Sequence, residues 1–323
     1  MGNKKLTNPQ TVNFDITDKC NFRCQTCDKW KTPPEGKELS LEEIRKILLN
    51  LKEWLQNYLV FFSGGEPLLR KDLTEILKLC WQQGIAKGII TNGSLINCYI
   101  AKKFSDADLR LVNISINSID AKKQDEIRGT KNCLKKIRKA VKTLRRKKIQ
   151  TVLNCVIDSN NINELDKIVY WAKEKECKIL FQAYFNSTFA FHKNEKQQYT
   201  LEKDWFLNDF LLPRNKIEIS KAINKLLELK KKGFPIANSE KQLNFFKDYF
   251  LNPEKSLPFS CQNGSKSFML DPYGNMRLCF NFPSLGNLRQ NSARTLWFSE
   301  KARKQREAIE RCHFNCKILN CNF

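Results

Sequence analysis

The sequence predicts an α/β fold: an open barrel of six strand–helix units, then a helical segment, then a small cysteine-rich unit. Three observations carry this. Short β-rich runs alternate with helical patterns through the first two-thirds of the chain, as βα units around a parallel sheet require. The units number six, too few to close an eightfold barrel, so a partial (β/α)6 barrel of the TIM type fits. After Pro258 cysteine, glycine, asparagine and proline gather, marking a unit whose own apolar core would be thin without a metal staple. The expected divisions are 1–200 for the barrel, 201–257 for a helical connector and 258–323 for the cysteine-rich unit.

Strands are expected at 12–17, 59–63, 88–92, 111–117, 151–157 and 179–185, each a run of β-branched and aromatic residues. The first helix opens at Ser40, with Glu43 three residues on completing a capping box before the apolar stripe Ile44, Ile47, Leu48, Leu51 and Leu55. The second runs from about 72 to 83 and stops at Gly84, a residue suited to a left-handed cap.

The 323 residues are 41% hydrophobic, enough for a sizeable core, and no apolar run approaches membrane-spanning length. The start lacks a signal-peptide core, Leu6 stands where myristoylation needs Ser or Thr, and Cys321 lies one place too late for prenylation, so a cytoplasmic protein is expected. The formal charge of +23 raises a nucleic-acid or polyanion partner as an alternative. Within 135–148, however, Ile137, Val141 and Leu144 recur at helical spacing, which leaves the basic residues on a solvated face.

Thirteen cysteines in a cytosolic chain favour metal ligation over disulfides. Cys80, Cys98, Cys133, Cys155 and Cys177 are scattered among apolar neighbours and read as small buried hydrophobes. Cys20, Cys24 and Cys27 crowd into one eight-residue window, "CNFRCQTC". Their spacing allows a tight loop to bind three irons of a cubane, leaving the fourth iron open to substrate or cofactor. A zinc site borrowing a fourth ligand is the competing reading, but both histidines, His192 and His313, are far along the chain.

Ligands of parallel βα folds bind at the carboxyl ends of the strands. There the cysteine loop follows the first strand, "SGGEP" (63–67) the second and "TNG" (91–93) the third, while Asn113, Ser115 and Asn117 share one face of the fourth. Gly64 and Gly65 permit close backbone approach, and Glu66 offers acceptors to an ammonium.

These motifs, with the segment 114–130, resemble the radical S-adenosylmethionine superfamily in its branch with accessory-cluster domains. The resemblance implies that Cys20, Cys24 and Cys27 hold a [4Fe-4S] cluster whose open iron is chelated by S-adenosylmethionine. It also implies that Gly64, Gly65 and Glu66 receive the cofactor's amino end, and that Ser115, Asn117 and Arg128 contact its ribose and carboxylate. Many relatives carry Asp-Gly where this chain has Asn117 and Ser118.

In the tail, Cys261, twelve residues, Gly274, four residues and Cys279 match the opening of the family's SPASM and twitch domains, with the turn supplied by 271–276. Cys312, Cys316 and Cys321 follow. Five cysteines suit one auxiliary [4Fe-4S] cluster, completed by two of the last three or by all three with one role reassigned. A structural zinc is the alternative, distinguished by about four irons plus one zinc per chain in place of about eight irons. The implied function is reductive cleavage of S-adenosylmethionine to a 5′-deoxyadenosyl radical that abstracts hydrogen from a peptide or small molecule. A low-potential donor such as flavodoxin or ferredoxin would supply the electron. The alternative is a basic iron-sulfur protein that binds or modifies nucleic acid.

Overall fold

The computed structural model describes residues 7–31, 33–185 and 205–320. Six parallel strands lie in sequence order: β1 (Thr11–Thr17), β2 (Leu59–Gly64), β3 (Ala86–Thr91), β4 (Leu111–Ser115), β5 (Gln150–Ile157) and β6 (Lys178–Ala183). The helices between them are α1 (Leu41–Leu55), α2 (Leu73–Gln82), α3 (Cys98–Asp106), α4 (Ala121–Arg128), α5 (Cys133–Arg146) and α6 (Leu165–Glu174). This is the partial barrel expected, open at β6.

Alternation along each strand decides what faces where. On β1, Val12, Phe14 and Ile16 are fully buried, while Asn13 and Asp15 on the other face are only half-buried. Opposite them, α1 buries Ile44, Ile47, Leu48, Leu51 and Leu55, and the Ser40–Glu43 capping box forms in both directions. On α5, Leu134, Ile137, Val141 and Leu144 are buried while Lys135, Arg138, Lys139, Lys142, Arg145 and Arg146 are exposed. Of the five scattered cysteines four are buried, but Cys98 is exposed, because it opens α3 on its outer face.

After β6 come α7 (Trp205–Asn208), α8 (Lys216–Lys231) and α9 (Glu240–Leu251). The chain between α8 and α9 covers the β6 edge. Ile179 donates to the Pro235 carbonyl (2.9 Å) and accepts from Ala237 (2.8 Å), while the buried Asn238 carboxamide bonds both backbone groups of Phe181 (2.7 and 2.8 Å). An edge that would otherwise expose unpaired peptide groups is thereby closed.

The tail then returns to the opposite edge. β7 (Ser267–Leu270) pairs parallel with β1, and β8 (Asn275–Arg277) and β9 (Gly286–Asn287) follow antiparallel, making one nine-stranded sheet. Helices α10 (Ala293–Trp297) and α11 (Glu300–Glu310) complete it. Fully buried Trp297 packs against Phe268 of β7 and Trp54 of α1, with ring centroids 6.0 and 6.3 Å away. The thin independent core expected of this unit is therefore replaced by one shared with the barrel.

Candidate functional site

The cysteine loop is held from both sides. As it leaves β1, Thr17 Oγ1 and the Asp18 amide donate to Glu38 (2.8 and 3.0 Å). Further on, the Arg23 amide donates to the Arg128 carbonyl (3.3 Å) and the Gln25 amide to that of Ile127 (3.0 Å), so the loop rides on the end of α4. Gly129 makes this approach workable: at φ +55°, a Cβ there would lie 2.2 Å from the Arg23 carbonyl oxygen. Phe22 is buried as the loop's anchor, leaving Cys20, Cys24 and Cys27 half-buried around it. The three thiols feel one another: burial pushes the Cys24 thiol up, Arg128 opposes this, and Cys27 and Cys20 add to it. Among the described residues, no three His, Cys, Asp or Glu side chains converge closely enough to hold a single ion.

The glycine pair lies against this loop. A Cβ on Gly64 would sit 2.2 Å from the Thr17 carbonyl oxygen, and one on Gly65 2.2 Å from that of Lys19. The Gly65 and Glu66 amides donate to those same carbonyls (both 2.7 Å). Glu66 is fully buried, and its carboxylate accepts from Thr91 Oγ1 (2.7 Å), the Asn92 amide (2.8 Å) and the Leu68 amide (3.1 Å). Burial pushes its pKa up against those donors. Glu66 thus ties "SGGEP" to "TNG", a role its spacing alone did not reveal. Asn92 in turn donates to Asn21 (2.9 Å), and Asn21 to Ser94 (3.0 Å), joining the third strand end to the cysteine loop.

The three residues expected at the cofactor's ribose and carboxylate, Ser115 on β4, Asn117 just beyond it and Arg128 at the end of α4, part company. Ser115 is half-buried, and its hydroxyl has no partner among the described residues. Asn117 is buried, donating to the Val156 carbonyl (3.2 Å) and accepting from Arg128 Nη1 (3.3 Å). Arg128 is 9% exposed and its Nε has no partner, while its carbonyl accepts from Cys24 (3.7 Å). A buried guanidinium N–H without an acceptor is costly unless an anion arrives. That orphan, the close-packed glycines and the three thiols fit a sulfur-bound cluster with an amino-acid cofactor beside it.

Two groups escaped the sequence reading. Asp15, on the half-buried face of β1, accepts from Ser63 Oγ (2.5 Å) and pairs with Lys29, which also reaches Asp18 (3.4 Å). Burial works against the Lys29 charge, but the two aspartates outweigh it and hold the ammonium above the usual lysine range. The signal was the parity of Asp15 with Asn13 on a strand ending at the cysteines.

The second is Asp158, just beyond β5 and fully buried, with Oδ2 unpartnered and Oδ1 accepting from the Asn160 amide (2.8 Å). Burial raises its pKa to about 6. The native state then holds a proton that the unfolded chain has released between about pH 4 and 6, so stability falls as pH rises through that window. Asp158→Asn should remove a cost on the order of 2 to 3 kcal/mol above that window. Urea midpoints at pH 5 and 7.5 check this: the gap between the two pH values should shrink in the variant.

In the tail, Gly274 sits at φ +91° in the β7–β8 turn, where Asp271 accepts from the Tyr273 and Asn275 amides (3.0 and 2.9 Å). Buried Asn281 draws two cysteines together: its amide donates to Cys279 (3.4 Å) and its Nδ2 to Cys316 (3.5 Å). The Lys317 ammonium is within electrostatic reach of Cys312, Cys261 and Cys316. Asn281 thus links two of the tail thiols, and N–H donors aimed at sulfur suit a thiolate cluster. Cys321 lies outside the described residues.

Fold and site together give a partial barrel with a three-cysteine loop after its first strand and a cysteine-bearing tail joined to its sheet. Family models agree. That of the radical SAM superfamily matches residues 14–172, and that of the SPASM iron-sulfur cluster-binding domain matches 261–322. The chain belongs to the radical SAM superfamily, in the branch with a C-terminal SPASM domain. Its cofactors are therefore a [4Fe-4S] cluster with S-adenosylmethionine, and an auxiliary iron-sulfur cluster.

Similar curated proteins include a PqqA peptide cyclase of Bradyrhizobium diazoefficiens, 31% identical over 162 residues (50% of this chain, 42% of that protein). A GTP 3′,8-cyclase of Campylobacter jejuni is 31% identical over 190 residues (56% and 58%). The chain spans about half the length of these relatives. Among solved structures, Streptococcus suis SuiB bound to S-adenosylmethionine superposes with TM-score 0.69 at 14% identity, covering 93% of this chain and 68% of that one. The anSMEcpe structure with AdoMet and the Cp18Cys peptide gives 0.67 at 18%, covering 96% and 86%. These likenesses are of fold.

Proposed function

We propose that this chain is a radical enzyme that uses S-adenosylmethionine to abstract hydrogen from a peptide, with one auxiliary [4Fe-4S] cluster held by the tail. The observation that carries the reading is the open loop of Cys20, Cys24 and Cys27 set between the Gly64–Gly65 backbone and the orphaned Arg128 Nε. The three cysteines would hold the first cluster. Gly64 and Gly65 would take the cofactor's amino end through their backbone, Arg128 its carboxylate and Ser115 its ribose. Glu66 and Asn117, both buried and bonded within the protein, would position these groups. Bound and reduced, the cluster and cofactor together supply the 5′-deoxyadenosyl radical. Asp15 joins Ser63 at the end of β2 to Lys29 just after the cysteine loop. Cys261, Cys279, Cys312 and Cys316 would hold the auxiliary cluster, with Cys321 in reserve.

A peptide substrate is supported by the relatives: one is a PqqA peptide cyclase, and SuiB and anSMEcpe were each solved with a peptide. A nucleic-acid partner finds less support, because the basic residues of α5 lie on the barrel's outer face. Among the described residues no helix is long and apolar enough to cross a membrane. A cytoplasmic setting, with reduction by flavodoxin or ferredoxin, is part of the proposal. The test is anaerobic reconstitution with dithionite and S-adenosylmethionine. 5′-Deoxyadenosine should form, and a cognate peptide should raise its yield and lose hydrogen; no 5′-deoxyadenosine under any reductant would sink the proposal.

A further inference from the structure

Lys317 lies in the short 3-10 turn Asn315–Ile318, one residue after Cys316. It is 5% exposed. Its Nζ donates to Ser256 Oγ (3.1 Å) and lies 5.5 Å from the centroid of the Phe259 ring, two residues before Cys261. Among the described residues no carboxylate pairs with it; the anionic groups within reach are the thiols of Cys312, Cys261 and Cys316.

A buried ammonium is a heavy cost unless an anion compensates it. Four thiolates around a cubane make a net negative group, and reduction adds one more negative charge. A fixed cation beside such a cluster favours the reduced state, because the attraction is little screened in a low-dielectric interior. Asn281 reinforces this by aiming two N–H groups at Cys279 and Cys316.

We propose that Lys317 is the charge partner of the auxiliary cluster and raises its reduction potential, favouring the reduced state. The proposal rests on the auxiliary-cluster reading above. It assigns Lys317 a tuning role, with the ammonium itself neither ligating iron nor meeting substrate. It also means that Lys317 is uncompensated in the metal-free chain, where it should weaken the fold.

The test compares reconstituted wild type with Lys317→Met and Lys317→Arg by iron analysis and by redox titration followed by electron paramagnetic resonance. The barrel cluster is identified as the one whose signal changes on adding S-adenosylmethionine. Lys317→Met should shift the auxiliary midpoint down by about 59 mV, a tenfold change for a one-electron couple, with the barrel cluster unmoved and Lys317→Arg close to wild type. The metal-free Met variant should also melt above metal-free wild type. Retention of about eight irons with no shift in the auxiliary midpoint would overturn the proposal, as would equal shifts of both clusters. Loss of about four irons in the Met variant with retention in the Arg variant supports the charge pairing; loss in both overturns it. Wild type with only about four irons would show instead that the auxiliary-cluster reading had failed, and this proposal with it.

Discussion

Cys24→Ala is expected to halve the iron content, from about eight to about four atoms per chain, and to reduce 5′-deoxyadenosine formation to the uncatalysed background. The reason is geometric. Cys24 is the central thiol of the loop, and the backbone on either side of it is fixed by the Arg23 and Gln25 amides on the end of α4. Of the other thiols near it, Cys20 and Cys27 would already be used, and Cys133 is buried at the start of α5 with its sulfur accepting from Gln124 (3.4 Å). The auxiliary iron should remain, because the tail, where Asn281 links Cys279 and Cys316, joins the sheet on the other side of β1 from β2. Iron analysis beside product chromatography checks both halves. A variant that keeps full iron and activity would refute the assignment of the loop.

Glu66→Ala should cost about 3 kcal/mol or more and lose cofactor affinity with it. Three donors, Thr91 Oγ1 and the amides of Asn92 and Leu68, would be left buried without an acceptor. The strand-end segments that Glu66 joins would then part, and the Gly64–Gly65 backbone would lose its seat against Thr17 and Lys19. Glu66→Gln is the discriminating companion. It keeps an oxygen for Thr91 and Leu68 but turns an amide donor toward the Asn92 N–H, so it should cost only about 1 kcal/mol. Denaturant midpoints and equilibrium dialysis with S-adenosylmethionine measure the two effects. Equal stability of Glu66→Ala and wild type would show that the carboxylate is not the tie described.

The parts of the fold that were legible in the sequence are those governed by local rules. The alternation of Val12, Phe14 and Ile16 with Asn13 and Asp15 announces a strand with two different faces. The stripe of α1 and its Ser40–Glu43 box depend only on residues three and four apart, and both appear as expected. The cysteine loop was legible because three cysteines fall within eight consecutive residues. What was not legible depends on residues far apart: Arg128 lies 104 positions from the Cys24 that it contacts, and Glu66 lies 25 from Thr91. The expectation that Glu66 would present its carboxylate to the cofactor used its charge, while its burial was set by packing that no spacing encodes.

By itself the sequence determined the class of fold and the presence of a cysteine loop after the first strand and a cysteine-rich tail, since these rest on periodicity, spacing and counts. Only the tertiary structure decided that the tail joins the barrel sheet at β1, that Arg128 offers an orphaned N–H beside the cysteine loop, and that Lys317 is buried against Ser256 and Phe259. The physical reason is that burial and charge pairing are properties of where distant segments meet: an ammonium that would cost nothing in water acquires a function only when the fold removes the water around it.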